Sequence, residues 1–197
     1  LIILMSSPME AFIFAILMYT CILTRWGDSY ISNEGNSIYV NELAYDMGFR
    51  NGDQILLFDD EKPENFGMLQ ADLARNGVKR VTVLRDNDTI NIYIDQNMIG
   101  DVLQSPGMFG LAVPFVISEV SETSPNKDSD LRAGDKVISI GGVNVEFLQD
   151  ARPLLSELAG ETAEISLLRG SDTIRMDVRV DTTGTIGVML ERPNIKI

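Results

Sequence analysis

The sequence predicts a mainly β fold with short helices, an α+β chain built as two copies of one small, partly open barrel behind an apolar N-terminal helix. Three observations predict it. An Arg-x-Gly-Asp step occurs twice: Phe49-Arg50-Asn51-Gly52-Asp53-Gln54-Ile55 returns as Leu131-Arg132-Ala133-Gly134-Asp135-Lys136-Val137, 82 positions later (132 minus 50). The segment after each step repeats as well, an apolar strand leading to a helix-patterned stretch and then a hairpin. Third, residues 8–23 are apolar except for Glu10, Tyr19, Thr20 and the neutral Cys21. A repeat of this period is too long for a solenoid and fits a tandem of two domains of roughly 85 residues each.

The opening apolar run has sixteen residues (23 minus 8, plus 1) and spans about 24 Å at ~1.5 Å per residue. That is slightly short of a bilayer core of ~30 Å. Ser6-Ser7-Pro8 suits a helix start, and Arg25, Trp26 and Tyr30 supply interfacial chemistry where a helix leaves a membrane. A membrane helix with its interface over residues 1–27 is the expectation, a buried core helix the alternative. A signal peptide would need a basic leading stretch and a small-x-small cleavage site, and neither is present. A first residue of Leu and an apolar beginning predict a piece of something longer.

Residues 28–114 then form the first copy and 115–197 the second. In each, a short helix candidate (41–47 closed by Gly48; Ser124-Pro125 to Asp130) precedes the Arg-x-Gly-Asp turn, which delivers the chain into a buried strand at 55–58 or 137–140. Phe66, Leu69 and Leu73 make one apolar helical stripe, and Ala151, Leu154, Leu155 and Leu158 make the other. Gly77 and Gly160 supply left-handed caps, and Pro153 places the second helix start near Asp150. Alternating strands 78–84 and 89–94, and 163–168 and 173–180, flank turns at Asp86-Asn87 and Gly170-Ser171.

The formal net charge is −13, and since Glu10 and Arg25 cancel, all of it lies on residues 28–197 (15 minus 28). Such a surface repels phosphate, so nucleic acid is excluded as a partner, and neutral-to-basic peptides are favoured. Histidine is absent, which removes Ser-His-Asp and Cys-His catalysis and imidazole metal sites. A Ser-Lys dyad needs a desolvated lysine, and Lys62, Lys79, Lys127, Lys136 and Lys196 fall in turns or at strand edges. Asp86-Asn87-Asp88 lacks the glycine and distal glutamate of a calcium loop. No catalytic or metal-binding residue is expected here, and no cofactor. Cys21, alone in the chain, can make no internal disulfide.

Short strands with two helices over the open edges of a small barrel resemble PDZ domains of the bacterial type. In those, a Gly-Leu-Gly-Phe-like loop offers backbone amides to a peptide carboxylate and the peptide adds as a strand beside a helix. The matching stretches are Gly110, Leu111, Ala112 and Val113, and Gly187, Val188, Met189 and Leu190, each at the end of its own copy as in a circularly permuted arrangement. The helix positions facing the groove would be Leu69 and Leu73, and Leu154 and Leu158. Both stretches read equally as closing strands.

An apolar helix running through Trp26-Gly27-Asp28 into tandem permuted PDZ copies is similar to the central part of bacterial site-2 proteases of the regulator-of-sigma-E-protease type. The family's Gly-Pro-x-x-Asn entry to this helix reads Ser7-Pro8-Met9-Glu10-Ala11 here, and its Ser-Pro-Ala run reads Ser124-Pro125-Asn126. The resemblance implies a parent zinc metalloendopeptidase of the inner membrane, its zinc bound outside these residues. That parent cuts transmembrane proteins in regulated intramembrane proteolysis, while residues 28–197 face the periplasm and filter substrates. The alternatives are a non-enzymatic, membrane-anchored peptide-binding adaptor and the PDZ tail of a high-temperature-requirement protease, which the apolar run disfavours.

Overall fold

The computed structural model describes residues 8–26 and 29–196. Expectations placed on residues 1–7 and 27–28 lie outside the described residues. The chain is mainly β with short helices. Helix α1 (Pro8–Trp26) leads into β1 (Tyr30–Ile31), β2 (Ser37–Val40), α2 (Glu42–Asp46), β3 (Gln54–Phe58), α3 (Leu69–Arg75), β4 (Arg80–Arg85), β5 (Asp88–Tyr93), α4 (Ile99–Gln104) and β6 (Phe109–Ala112). A second run comes after it: β7 (Ile117–Val120), β8 (Lys136–Ile140), β9 (Val143–Asn144), α5 (Leu148–Glu157), β10 (Thr162–Arg169), β11 (Asp172–Arg179), β12 (Val188–Leu190) and β13 (Ile195–Lys196).

Buried apolar side chains fall into two clusters, one from Ile38 to Met108 and one from Phe115 to Ile186. Around the first, β3, β4 and β5 form one sheet while β6 pairs back on β2; around the second, β8 to β11 form one sheet while β12 pairs back on β7. Sheets in both halves stay open rather than closing as barrels. Thus β6 closes the first half and β12 the second. β1 pairs with β13, and Asn194 reinforces this clasp: its carbonyl accepts from Ser32 N–H and from the Asn36 side chain, both at 3.0 Å.

The two Arg-x-Gly-Asp steps fold identically. Gly52 and Gly134 both have φ of 88°, a left-handed conformation that a side chain would strain. Asp53 Oδ2 accepts from Arg50 N–H and Asp135 Oδ2 from Arg132 N–H, each at 2.9 Å. Neither carboxylate has exposed surface, so each needs a charged partner. That partner is the arginine ending the adjacent strand of the sheet, β4 or β10: Arg85 grips Asp53 with bonds of 2.7 and 2.7 Å, and Arg169 grips Asp135 with bonds of 2.7 and 2.8 Å. The aspartate backbone meanwhile holds the first strand, since Ile38 N–H donates to Asp53 O at 2.8 Å and Ile117 N–H to Asp135 O at 2.9 Å.

Three local expectations change. Residues 124–130 form turns, not a helix, because their polar side chains compete for the backbone: Ser124 Oγ accepts from Asn126 N–H at 3.0 Å and Ser129 Oγ donates to Asn126 O at 2.6 Å. In the first half the candidate over 41–47 does form a helix, α2, with Asn41 as its cap, its Oδ1 accepting from Ala44 N–H at 3.0 Å. Helix α5 begins at Leu148, ahead of Asp150, whose Oδ2 reaches back to Phe147 N–H at 3.0 Å from inside the first turn. Pro153 therefore lies within the helix and gives no donor to the Gln149 carbonyl.

Helix α1 is 19 residues long, about 28 Å at ~1.5 Å per residue. Among the described residues no helix is long and apolar enough to cross a membrane. Nor is α1 the buried core helix of the alternative reading, since Phe12, Ile13, Phe14, Ile16 and Leu17 are all more than half exposed.

Asp53→Asn or Asp135→Asn is expected to cost about 2–3 kcal/mol, the low end for a buried pair because each arginine stays partly exposed. Thermal melts at pH 7 would show it as a drop of several degrees. The Arg169 hydrogen bonds hold the Asp135 carboxyl below the usual carboxylate range, against the opposing effect of burial. A depressed folded value means the stabilisation is complete above about pH 4, the unfolded value, and fades as pH falls through the folded one. The gap in melting temperature between wild type and Asp135→Asn should therefore narrow below pH 4.

Candidate peptide-binding grooves

Two clefts lie where a closing strand faces a helix, β6 with α3 and β12 with α5. The scaffold around them is duplicated, so their positions correspond. Ile38 and Ile117 make the same bonds to their aspartate loops and pair across to Leu111 and Leu190. Counting back three residues on each closing strand equates Met108 with Gly187. On the helices the 82-residue offset equates Phe66 with Leu148, Gln70 with Arg152 and Leu73 with Leu155.

The first cleft is filled by its own chain. Between β5 and β6 the chain makes a 3-10 turn at Gln96–Met98 and then α4, which packs against α3. Gln70 of α3 fastens this segment, donating to Val102 O and Ser105 O at 2.7 Å each and accepting from Met108 N–H at 3.0 Å. Leu69, Leu73, Val102 and Met108 have no exposed surface. Leu69 and Leu73, expected at the groove, are therefore core. The outer edge of β6 is also engaged, by α5: Leu148 N–H donates to Val113 O at 2.8 Å, Gln149 Oε1 accepts from Val113 N–H at 3.3 Å, and the Gln149 amide donates to Leu111 O. Of the Gly110, Leu111, Ala112, Val113 stretch, Ala112 is buried and the others are half-buried.

The second cleft is open. A cavity of about 200 Å³ lies between β12 and α5, with apolar walls from Phe115, Leu148, Leu155, Ile186, Val188 and Leu190, and with Arg152 at its rim. Gly187 O accepts from Ser121 N–H and Glu191 N–H donates to Val116 O, so alternation turns the backbone of Val188 and Leu190 the other way, to the open side. Among the described residues the Gly187 N–H has no acceptor and Arg152 no ion-pair partner. An unpaired strand edge, a free amide, a cation and an apolar pocket converge here. That set can take an extended peptide ending in an apolar residue.

Gly187, Val188 and Leu190, named from the sequence, line this cavity. Met189 faces the opposite side, 57% exposed. Leu154 and Leu158 pack on the second core, and the groove is lined instead by Leu148 and Leu155 of the same helix. The loop entering the groove is cross-braced by one carboxylate: Asp181 accepts from Thr183 N–H and Thr185 N–H at 2.8 and 2.9 Å and from both threonine hydroxyls at 2.7 Å. Those bonds hold its carboxyl far below the usual range. At Gly184 (φ 74°) a side chain would be strained and crowded, a Cβ lying 3.0 Å from Ser156 Cα on α5.

With this geometry, the PDZ domain family matches residues 104–180. Over this stretch the chain is similar to PDZ domains. The match and the packing are offset: residues 109–112 of the match close the first half, and β12, which closes the second, lies beyond it. Over 195 residues the chain is 24% identical to a protein of Borreliella burgdorferi described as "Putative zinc metalloprotease", covering 98% of this chain and 44% of that protein. The chain thus spans less than half the length of this curated relative. It is similar to zinc metalloproteases of the site-2 type. Among solved structures, the PDZ domain of the SdrC-like protein from Listeria monocytogenes is 26% identical over 38% of this chain and 84% of its own, with a TM-score of 0.33. The second domain of the listeria protein Lin2157 is 20% identical over 43% and 85%, with a TM-score of 0.32. Among the described residues no group of acidic or cysteine side chains could hold a metal ion.

Gln70→Leu removes the amide and strands three backbone groups that lie wholly or partly out of solvent, each worth about 1–3 kcal/mol. Hydrogen exchange followed by mass spectrometry should show faster exchange across residues 96–108, with β10 and β11 unchanged.

Proposed function

We propose that this chain is the tandem PDZ region of a membrane-embedded zinc metalloprotease that performs regulated intramembrane proteolysis. In this reading residues 28–114 and 115–197 are two PDZ units with circularly permuted strand order, because the strand that would open an ordinary unit comes last in each. The open second groove carries the proposal. Its strand edge, free amide, apolar pocket and Arg152 suit the terminus of an extended peptide whose carboxylate comes to rest by Gly187 N–H. Similarity along nearly the whole chain to a protein described as a zinc metalloprotease supplies the parent, and the zinc and its ligands would belong to the parent's other segments.

The membrane part of the reading rests on α1. A helix whose apolar side chains are exposed on all sides calls for apolar surroundings, and lipid supplies them, with Arg25 at one end. The PDZ units would then face the periplasm above the inner membrane. There they would filter substrates by bulk, a folded substrate domain colliding and a trimmed stub passing with its new terminus in the second groove.

Two measurements check this. The intact chain in detergent should bind a fluorescent hexapeptide ending in Ala-Val with a free carboxylate, and Arg152→Glu should weaken binding about tenfold or more without lowering the melting temperature. In the whole protease, removing residues 29–194 should allow cleavage of a transmembrane substrate that still carries its folded external domain. Peptide binding without any proteolysis by the whole protein would instead identify a membrane-anchored adaptor.

A further inference from the structure

Ser124 and Asn126 touch no part of the groove cavity, yet both are buried, each only 5% exposed, directly behind the loop that enters it. Their side chains converge on one atom. Ser124 Oγ donates to Ile186 O at 3.0 Å and Asn126 Nδ2 donates to the same oxygen at 2.9 Å. The other Asn126 N–H bonds Arg179 O at 2.8 Å and its Oδ1 accepts from Arg179 N–H at 2.8 Å, so the amide is held in one orientation by the end of β11.

We infer that Ser124 and Asn126 are positioning residues of the second groove, which hold the Ile186–Gly187 peptide so that Gly187 N–H faces α5 and a bound terminus. The inference rests on the peptide-binding reading of that groove. In a trans peptide the N–H points opposite to the C=O. Pinning Ile186 O toward Ser124 and Asn126 therefore turns Gly187 N–H away from them, to the side where Ile186 and Gly187 line the cavity. The fit behind the loop is tight enough to require glycine, since a Cβ at Gly187 would lie 2.7 Å from Ser124 Cβ, and φ is 68°.

The first half shows where this amide points. Its counterpart, Met108 N–H, meets an oxygen supplied from the helix across the cleft, Gln70 Oε1 at 3.0 Å. In the second half that helix position is Arg152, which has no oxygen to offer, and the amide is left for an outside acceptor. Among the described residues the first half has no such device: no side chain donates to Gly107 O, the carbonyl that precedes Met108 as Ile186 O precedes Gly187.

The test uses the intact chain in detergent, with hexapeptides ending in Ala-Val either as the free acid or as the amide. Wild type should prefer the acid by about tenfold or more, a hydrogen bond to a charged group being lost with the amide. Asn126→Ala and Ser124→Ala should each cut that preference severalfold while the amide peptide binds as before. A merely structural role would lower melting temperature and leave the acid-to-amide ratio intact, which overturns the inference. Should neither variant fold, glycine-selective 15N labelling of wild type decides the matter. The Gly187 signal must shift strongly with acid and weakly with amide, and equal shifts overturn the inference. Absence of binding by either peptide refutes the groove reading itself, and the inference with it.

Discussion

A buried carboxylate with no exposed surface organises each half of this protein. Asp53 and Asp135 bind the turn that precedes them through the backbone N–H of Arg50 and Arg132, and bind a hairpin strand through Arg85 and Arg169. Their own backbone carbonyls hold the first strand through Ile38 and Ile117. An ion pair of this kind adds modest net stability, because desolvation offsets much of the attraction. Its contribution is register. Once Ile38 and Ile117 are fixed, β6 and β12 can pair only in one way, and the positions of the clefts beside α3 and α5 are set.

From this common frame the two clefts diverge through the length of the segment that leads into each closing strand. Fifteen residues separate Tyr93 from Phe109 (109 minus 93, less 1), enough for a 3-10 turn and α4 to cross the first cleft. Eight separate Arg179 from Val188 (188 minus 179, less 1), enough only for the loop that Asp181 and its threonines stiffen. Gln70 then satisfies the amide that Gly187 leaves open. Duplication with closure of one copy leaves one filled cleft and one open groove.

The support is attached to the groove through α5. Asp150 caps this helix and also accepts from Tyr39 OH at 2.9 Å, Phe147 packs edge-on against Tyr39, and Gln149 brackets Leu111 and Val113. Burial and the bond to Asp150 raise the Tyr39 phenol above its ordinary value, so it remains a donor throughout the neutral range. One face of α5 thus grips the first half while Leu148, Arg152 and Leu155 line the second groove. At the other end, the β1–β13 clasp ties the segment after α1 to the segment after β12.

The amino-acid order alone determined the duplication, the Arg-x-Gly-Asp turns, the hairpins and the strand stretches at Gly110 and Gly187, because these depend on glycine conformations, alternation and a repeated spacing that neighbouring residues carry. Helix phase was ambiguous: Leu154 and Leu155 fit the stripe equally, and only alignment with Leu73 through the 82-residue offset would have selected Leu155. Ser124-Pro125-Asn126 gave no sign of its role, since its partner carbonyl is 60 residues away at Ile186. Which cleft stays open was decided by tertiary structure, because whether an edge or an amide is free depends on which distant segment comes to lie against it. Gln70 against Met108 and Gln149 against Leu111 are contacts between residues whose separation along the chain says nothing of their meeting.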